Sequence, residues 1–185
     1  NNNNNDYHNN KISENSIQTA CFSIYHNNCR GLLSKRLRLA NSNIISENQV
    51  IFLSETKISS NSVADQQKLD FSNVNRCSKS LSLCRQEGGN LFGGSCVIWD
   101  PTFINIEHLT TASSDIFEIN SVRITTKSNN DGIVDKVTVI YCYKSPSFTL
   151  RQNEQFIITL DDIVNKIEGR KLIVGDFNWL KNRKR

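Results

Sequence analysis

A strand, a helix and a second strand follow one another late in the chain, and this succession constrains the fold more than any other feature. Residues 136–143 alternate cleanly. Val137, Val139, Tyr141 and Tyr143 take one face and Thr138, Ile140 and Cys142 the other. Thr149-Leu150-Arg151-Gln152 has the form of a capping box. Phe156, Leu160, Ile163, Val164 and Ile167 then mark one face of a helix. Gly169 is placed to end that helix, and residues 171–174 read as a buried strand. Strand runs joined by single helices, with a strand-rich middle, predict a mixed α/β architecture.

The earlier chain fits that class. Residues 20–25 read as a first strand, and residues 26–32 as the loop after it. Leu33, Leu37, Ala40 and Ile44 recur at spacings of four, three and four, which predicts an amphipathic helix. Residues 50–53 form a short apolar run, hence a buried strand. Residues 58–94 are rich in Ser and Asn and end in Gly88-Gly89 and Gly93-Gly94, which predicts a long irregular excursion. This glycine segment lacks the spacing of a phosphate-binding loop or a dinucleotide fingerprint. Residues 95–99, 104–109 and 116–125 read as strands, the last alternating imperfectly through Ile119, Val122 and Ile124. Asn129-Asn130-Asp131-Gly132 reads as a hairpin turn.

Composition narrows the function classes. The chain has 185 residues, with 22 Lys+Arg against 18 Asp+Glu. Lys181, Arg183, Lys184 and Arg185 account for the whole excess, so residues 1–180 are neutral overall and a broadly basic coat for nucleic acid is excluded. The basic run at the end reads as a solvated stub, with a nuclear-import or DNA-contact patch as the other option. Apolar residues make up 37% of the chain, enough for one core once the Asn-rich start is set aside. That start, residues 1–19, predicts disorder. No run approaches the ~18 apolar residues of a membrane span, and no signal peptide is visible. The lack of any Met predicts a processed chain or a fragment. Six scattered cysteines without a C-x-x-C pair predict reduced structural thiols. The expected organisation is a disordered tail at 1–19, one α/β domain at 20–178 and a basic stub at 179–185.

Asn28, Glu55, Tyr143, Asp176 and Asn178 share one property. Each lies at or just past the carboxyl end of a predicted strand, the edge at which open α/β sheets bind ligands. If those strands are neighbours, two carboxylates, two amides and a phenol converge. Such an oxygen-rich set suits Mg²⁺, a hard ion that takes one or two carboxylates alongside waters and phosphate oxygens.

Four ordered motifs carry a family resemblance. They are Asn27-Asn28-Cys29-Arg30-Gly31-Leu32, Leu53-Ser54-Glu55-Thr56-Lys57, Tyr143-Lys144-Ser145-Pro146 and Ile173-Val174-Gly175-Asp176-Phe177-Asn178. Together they resemble the endonuclease/exonuclease/phosphatase superfamily, the fold of deoxyribonuclease I, and within it the endonuclease domain of non-long-terminal-repeat retrotransposons. The resemblance implies two packed mixed β-sheets flanked by helices in a four-layer sandwich. It implies hydrolysis of DNA phosphodiesters with Mg²⁺, Mn²⁺ being an alternative. Glu55 would be the principal metal ligand and Asn28 would hold the metal or the phosphate. Tyr143 would contact the phosphate, Asp176 would orient or deprotonate the attacking water, and Asn178 would hydrogen-bond the phosphate and position its neighbours. A linked reverse-transcriptase domain and a nuclear location are implied by the resemblance alone. Arg30 is left without a role.

The family pattern continues past the Gly-Asp-Phe-Asn strand to a Ser-Asp-His motif, whose His is a central catalytic group. Here seven residues follow Asn178, and His8, His26 and His108 do not match that position. Loss of such an acid/base group typically costs a factor of about 10²–10⁴. The expectation is a weakly active or inactive chain, with apolar faces and strand edges left open. The alternatives to a nicking endonuclease are an inactive remnant of one and a phosphatase of the same superfamily.

Overall fold

The computed structural model describes residues 22–32, 38–39, 43–58, 79–83, 93–127 and 135–178. The Asn-rich start, Leu33, Leu37 and Ala40 of the expected helix, Gly88-Gly89, the turn at 129–132, the basic stub, and Cys21, Cys77 and Cys84 lie outside the described residues.

Two four-stranded sheets stack face to face. The first contains β1 (Ile24–Asn28), β2 (Val50–Ser54), β3 (Lys79–Leu83) and β4 (Ser95–Trp99), in the order β1-β2-β4-β3. The second contains β5 (Ile104–Ser113), β6 (Phe117–Thr126), β7 (Lys136–Lys144) and β8 (Lys171–Asp176), in sequential order. Two helices described from end to end are α1 (Asn43–Glu47), before β2, and α2 (Leu150–Lys166), before β8. β1 and β2 run parallel, as do β7 and β8, while every other pair is antiparallel. A parallel pair needs a crossover connection, and the segments holding α1 and α2 supply one each.

Three apolar clusters define four layers. Between the sheets, Val50, Phe52, Val97 and Trp99 meet Ile104, Val122, Ile124, Val139 and Tyr141. Behind the first sheet, Ile51, Leu53, Cys96 and Ile98 pack with Leu32, Leu39 and Ile44. Behind the second, Phe117, Ile119, Ile140 and Cys142 pack with Phe156 and Ile163 of α2. β2 and β4 are therefore buried on both faces, which is why their sequences are unbroken apolar runs. The imperfect alternation of β6 has the same cause, because Ile119 faces α2 while Val122 and Ile124 face the other sheet.

The capping box is present. Thr149 N donates to Gln152 Oε1 at 2.8 Å, and Gln152 N donates to Thr149 Oγ1 at 3.3 Å. Such a cap stabilises a helix by about 1 kcal/mol. Phe156 is fully buried, edge-on to Phe117 with ring centroids 5.5 Å apart. Burial of a side chain of that size contributes about 1.5–3 kcal/mol. Cys29, Cys96 and Cys142 are buried as thiols.

Four local expectations are corrected. The first strand runs from Ile24 to Asn28, not over 20–25, so His26, Asn27 and Asn28 belong to the strand rather than to a loop. Parallel pairing with β2 carries it past the end of the apolar run, through His26 opposite Phe52 to Asn28 opposite Ser54. Within the expected irregular excursion lies β3, whose Lys-Ser-Leu-Ser-Leu pattern pairs antiparallel with β4. β8 is not buried at its start. Among the described residues it pairs with β7 alone, and Lys171, Leu172 and Ile173 are exposed. Finally, α2 ends through the extended residue Ile167, two positions before the positive-φ Gly169.

Candidate active site

Parallel pairing decides where the site lies. The carboxyl ends of β1 and β2 fall side by side, as do those of β7 and β8, and all four ends lie on one edge of the sandwich. Asn28 closes β1, Glu55 follows β2, Tyr143 is next to last in β7, and Asp176 closes β8. The sheets meet there through one amide. Asn28 Nδ2 donates to Glu55 Oε1 at 2.8 Å and to Asp176 Oδ2 at 2.9 Å. Both protons of that nitrogen are thereby used on carboxylates from different sheets. Asn28 Oδ1 accepts from Arg30 N at 3.1 Å, which fixes the orientation of the amide.

The remaining predicted residues complete the edge. Tyr143 lies opposite Asp176 in the β7–β8 register, is almost fully buried, and turns its hydroxyl toward Glu55. Burial, then the nearby Glu55, Asp176 and Glu118 carboxylates, hold its phenol far above the ordinary range, so it remains a donor at any physiological pH. Asn178 N donates to Asp176 Oδ1 at 3.3 Å, and its Nδ2 donates to Lys144 O at 2.7 Å. Asn178 thus ties Asp176 back to the end of β7. Phe177, between them, packs partly buried against the α2 cluster, 6.3 Å from the Phe156 ring.

The backbone at this edge is strained. Arg30, Glu55, Lys57 and Asn178 have φ of +46°, +52°, +54° and +47°, the left-handed region that costs a non-glycine residue about 1–2 kcal/mol. Each sits beside or within the site, and strain held in place by surrounding bonds is typical of functional loops. Around Glu55 those bonds are explicit. Its carbonyl accepts from Gly31 N at 2.6 Å, while Thr56 N and Lys57 N donate to Gly94 O and Gly93 O, both at 3.0 Å. Before Asp176, Gly175 lets β8 approach β7 so closely that a Cβ there would lie 1.9 Å from Cys142 O.

Two groups near the site were not assigned from sequence. His26 lies against the Tyr141 ring, with centroids 5.4 Å apart. Its buried Nε2 has no partner among the described residues, and burial lowers its pKa more than the nearby Asp176 raises it. Glu118, buried in β6, faces Tyr143 across the sheet. A lone Glu inside a strand that also carries Asn120, Ser121 and Arg123 reads as a solvent-facing residue, and nothing in the local sequence marks it out. His108 is exposed on β5, with Nε2 2.8 Å from Thr111 Oγ1, remote in the strand from the site edge.

The donor set fits a hard divalent cation. Two carboxylates share a single amide donor, so their mutual repulsion is only partly offset, and a cation between them would relieve it. Among the described residues no three His, Cys, Asp or Glu side chains cluster. Two carboxylates with an amide fall short of a closed protein cage and match an ion that keeps its own waters.

No protein-family model and no curated protein matches the sequence. Solved structures do. The structure of D. rerio TDP2 complexed with a single-strand DNA product superposes with a TM-score of 0.53 at 16% identity, covering 85% of this chain and 60% of that one. A humanized D. rerio TDP2 carrying 14 mutations superposes with a TM-score of 0.52 at 17% identity, covering 85% and 66%. The fold is that of the endonuclease/exonuclease/phosphatase proteins. The chain spans less than two thirds of the length of either structure. The Xenopus laevis APE2 catalytic domain gives a TM-score of 0.49 at 16% identity, covering 84% of this chain and 58% of that one. The packed mixed sheets flanked by helices that the resemblance implies are present in this chain's own layers, with each motif at the carboxyl end of a strand.

Proposed function

We propose that this edge is a divalent-cation-dependent phosphodiester hydrolysis site that acts on DNA, and that it belongs to a retrotransposon-type nicking endonuclease. The observation that carries the reading is the Asn28 amide held between Glu55 and Asp176. The DNA substrate is supported by a fold neighbour, D. rerio TDP2, whose structure is complexed with single-strand DNA product. The retrotransposon assignment, the linked reverse transcriptase and the nuclear location rest on the four motifs.

Glu55 and Asp176 would hold the cation, with Mg²⁺ the natural choice and Mn²⁺ able to substitute. A bound Mg²⁺ would supply positive charge to the phosphate oxygens. The protein's own groups divide the remaining work. Asn28 keeps the two carboxylates from separating. The protonated phenol of Tyr143 can donate to a phosphate oxygen as charge develops there. Asp176, held by Asn28 on one oxygen and by Asn178 on the other, would orient the attacking water beside the cation.

A supercoiled-plasmid nicking assay with MgCl₂ tests this reading. The expected result is slow conversion to the open circle that disappears with EDTA and in Glu55→Ala and Asp176→Ala. Nicking that persists in both variants would overturn it, as would the absence of both nicking and cation binding.

A further inference from the structure

Glu118 holds two groups that lie in the other sheet. Its Oε1 accepts from Gly94 N at 2.9 Å and its Oε2 accepts from Ser95 Oγ at 3.0 Å. A carboxylate this deeply buried is costly unless its oxygens are bonded, and both are. β6 belongs to the second sheet, whereas Ser95 begins β4 of the first and Gly94 immediately precedes it, so the bonds span the two layers beside the site. The Gly93-Gly94 backbone passes the constraint on. Its two carbonyls accept from Lys57 N and Thr56 N, the amides directly after Glu55.

The glycines are required by this arrangement. A Cβ at Gly93, where φ is +89°, would lie 2.7 Å from Glu118 Oε1. A Cβ at Gly94, where φ is +86°, would lie 2.6 Å from Thr56 Oγ1. Any larger residue would push away either the carboxylate or the turn that carries Glu55. The second glycine pair of the sequence thus has a physical role distinct from cradling phosphate.

We propose that Glu118 is a positioning residue for Glu55, acting through Gly93, Gly94 and Ser95 to hold the strained turn at the end of β2. Its effect on cation affinity rests on the reading of Glu55 as a ligand; its effect on the turn does not.

The test uses the full chain with Glu118→Leu and Glu118→Gln, folding being checked by circular dichroism. Amide hydrogen exchange at Thr56, Lys57 and Gly94 is followed without metal, and Mn²⁺ affinity by calorimetry. Glu118→Leu is expected to lose protection at those amides selectively, while the amides of α2 keep theirs, and to bind Mn²⁺ about 10-fold more weakly. Glu118→Gln, which keeps one acceptor for Gly94 N and a group able to bond Ser95 Oγ, is expected to restore both. If Glu118→Leu fails to fold, Ser95→Ala, which removes only the Oε2 bond, is expected to loosen the same amides partially. Wild-type protection of the Thr56 and Lys57 amides in folded Glu118→Leu, or in Ser95→Ala where Glu118→Leu does not fold, overturns the proposal. A wild-type chain that binds no Mn²⁺ sinks the cation reading of Glu55, and the exchange data then decide the clamp alone.

Discussion

Asn28 donates to Asp176 at 2.9 Å across 148 residues of sequence, joining the edge strand of one sheet to the edge strand of the other. The same nitrogen donates to Glu55, so one neutral side chain manages the proximity of two carboxylates. Replacing it should expose their repulsion. Asn28→Ala is expected to lower stability by about 1–3 kcal/mol, the range for leaving buried or charged hydrogen-bonding groups unpartnered. Asn28→Asp adds a third negative charge and should cost more in EDTA than the alanine change does, with the gap closing in excess MgCl₂. Thermal unfolding of the three proteins in both buffers checks this, and an Asn28→Asp protein as stable as wild type in EDTA would contradict it.

Stability should fall on mild acidification because of His26. Burial lowers its pKa in the folded state below the ordinary value of 6.5. The unfolded chain therefore binds the proton more readily, and stability rises with pH through this window. The contribution is fully present above about pH 6.5 and is lost as the pH falls toward the lowered folded value. Replacing His26 by Gln should flatten the denaturation midpoint between pH 7 and pH 5 relative to wild type. An unchanged slope in His26→Gln would show that the ring is not the group responsible.

Much of this could be read before any coordinates. Polar residues at the ends of the apolar runs, Glu55 after β2 and Asp176 at the end of β8, are what make this edge a candidate site in the sequence. The capping box at Thr149 and the helix face through Phe156 and Ile163 were equally plain, since local bonding and periodicity specify both. The remainder depended on pairing. Nothing local extends β1 past Tyr25, because His26 and Asn28 are held in the strand by β2. β3 escaped notice because a five-residue Ser/Leu alternation is weak unless β4 lies beside it. Glu118 was invisible as a site residue, since its partners belong to another sheet.

Close packing of β7 on β8 depends on Gly175. A methyl group there would meet the Cys142 carbonyl at 1.9 Å, and backbone has no rotamer with which to give way. Gly175→Ala is expected to destabilise the fold by about 3 kcal/mol and to displace Asp176 with the strand. Denaturant unfolding reads the first effect and cation affinity the second. A variant with wild-type stability would mean that β8 is not held at this separation.

The outer edge of β8 should promote self-association. Leu172 and Ile173 are 40% and 42% exposed on a strand that, among the described residues, is paired on its β7 side alone. Unpaired apolar edges are templates for association, and a charge on such an edge blocks it. Ile173→Lys is expected to shift light-scattering profiles toward the monomer with little change in unfolding midpoint. Identical association in wild type and Ile173→Lys would place the sticky surface elsewhere.

On the function proposed here, Glu55 and Asp176, from opposite sheets, act together on one divalent cation. Mn²⁺ titration of the full chain, followed by electron paramagnetic resonance, tests it with no need for turnover. The expected result is one ion per chain, with affinity reduced at least about 10-fold in both Glu55→Gln and Asp176→Asn. A wild-type chain that binds none, or a single substitution that leaves the affinity unchanged, would contradict the shared site.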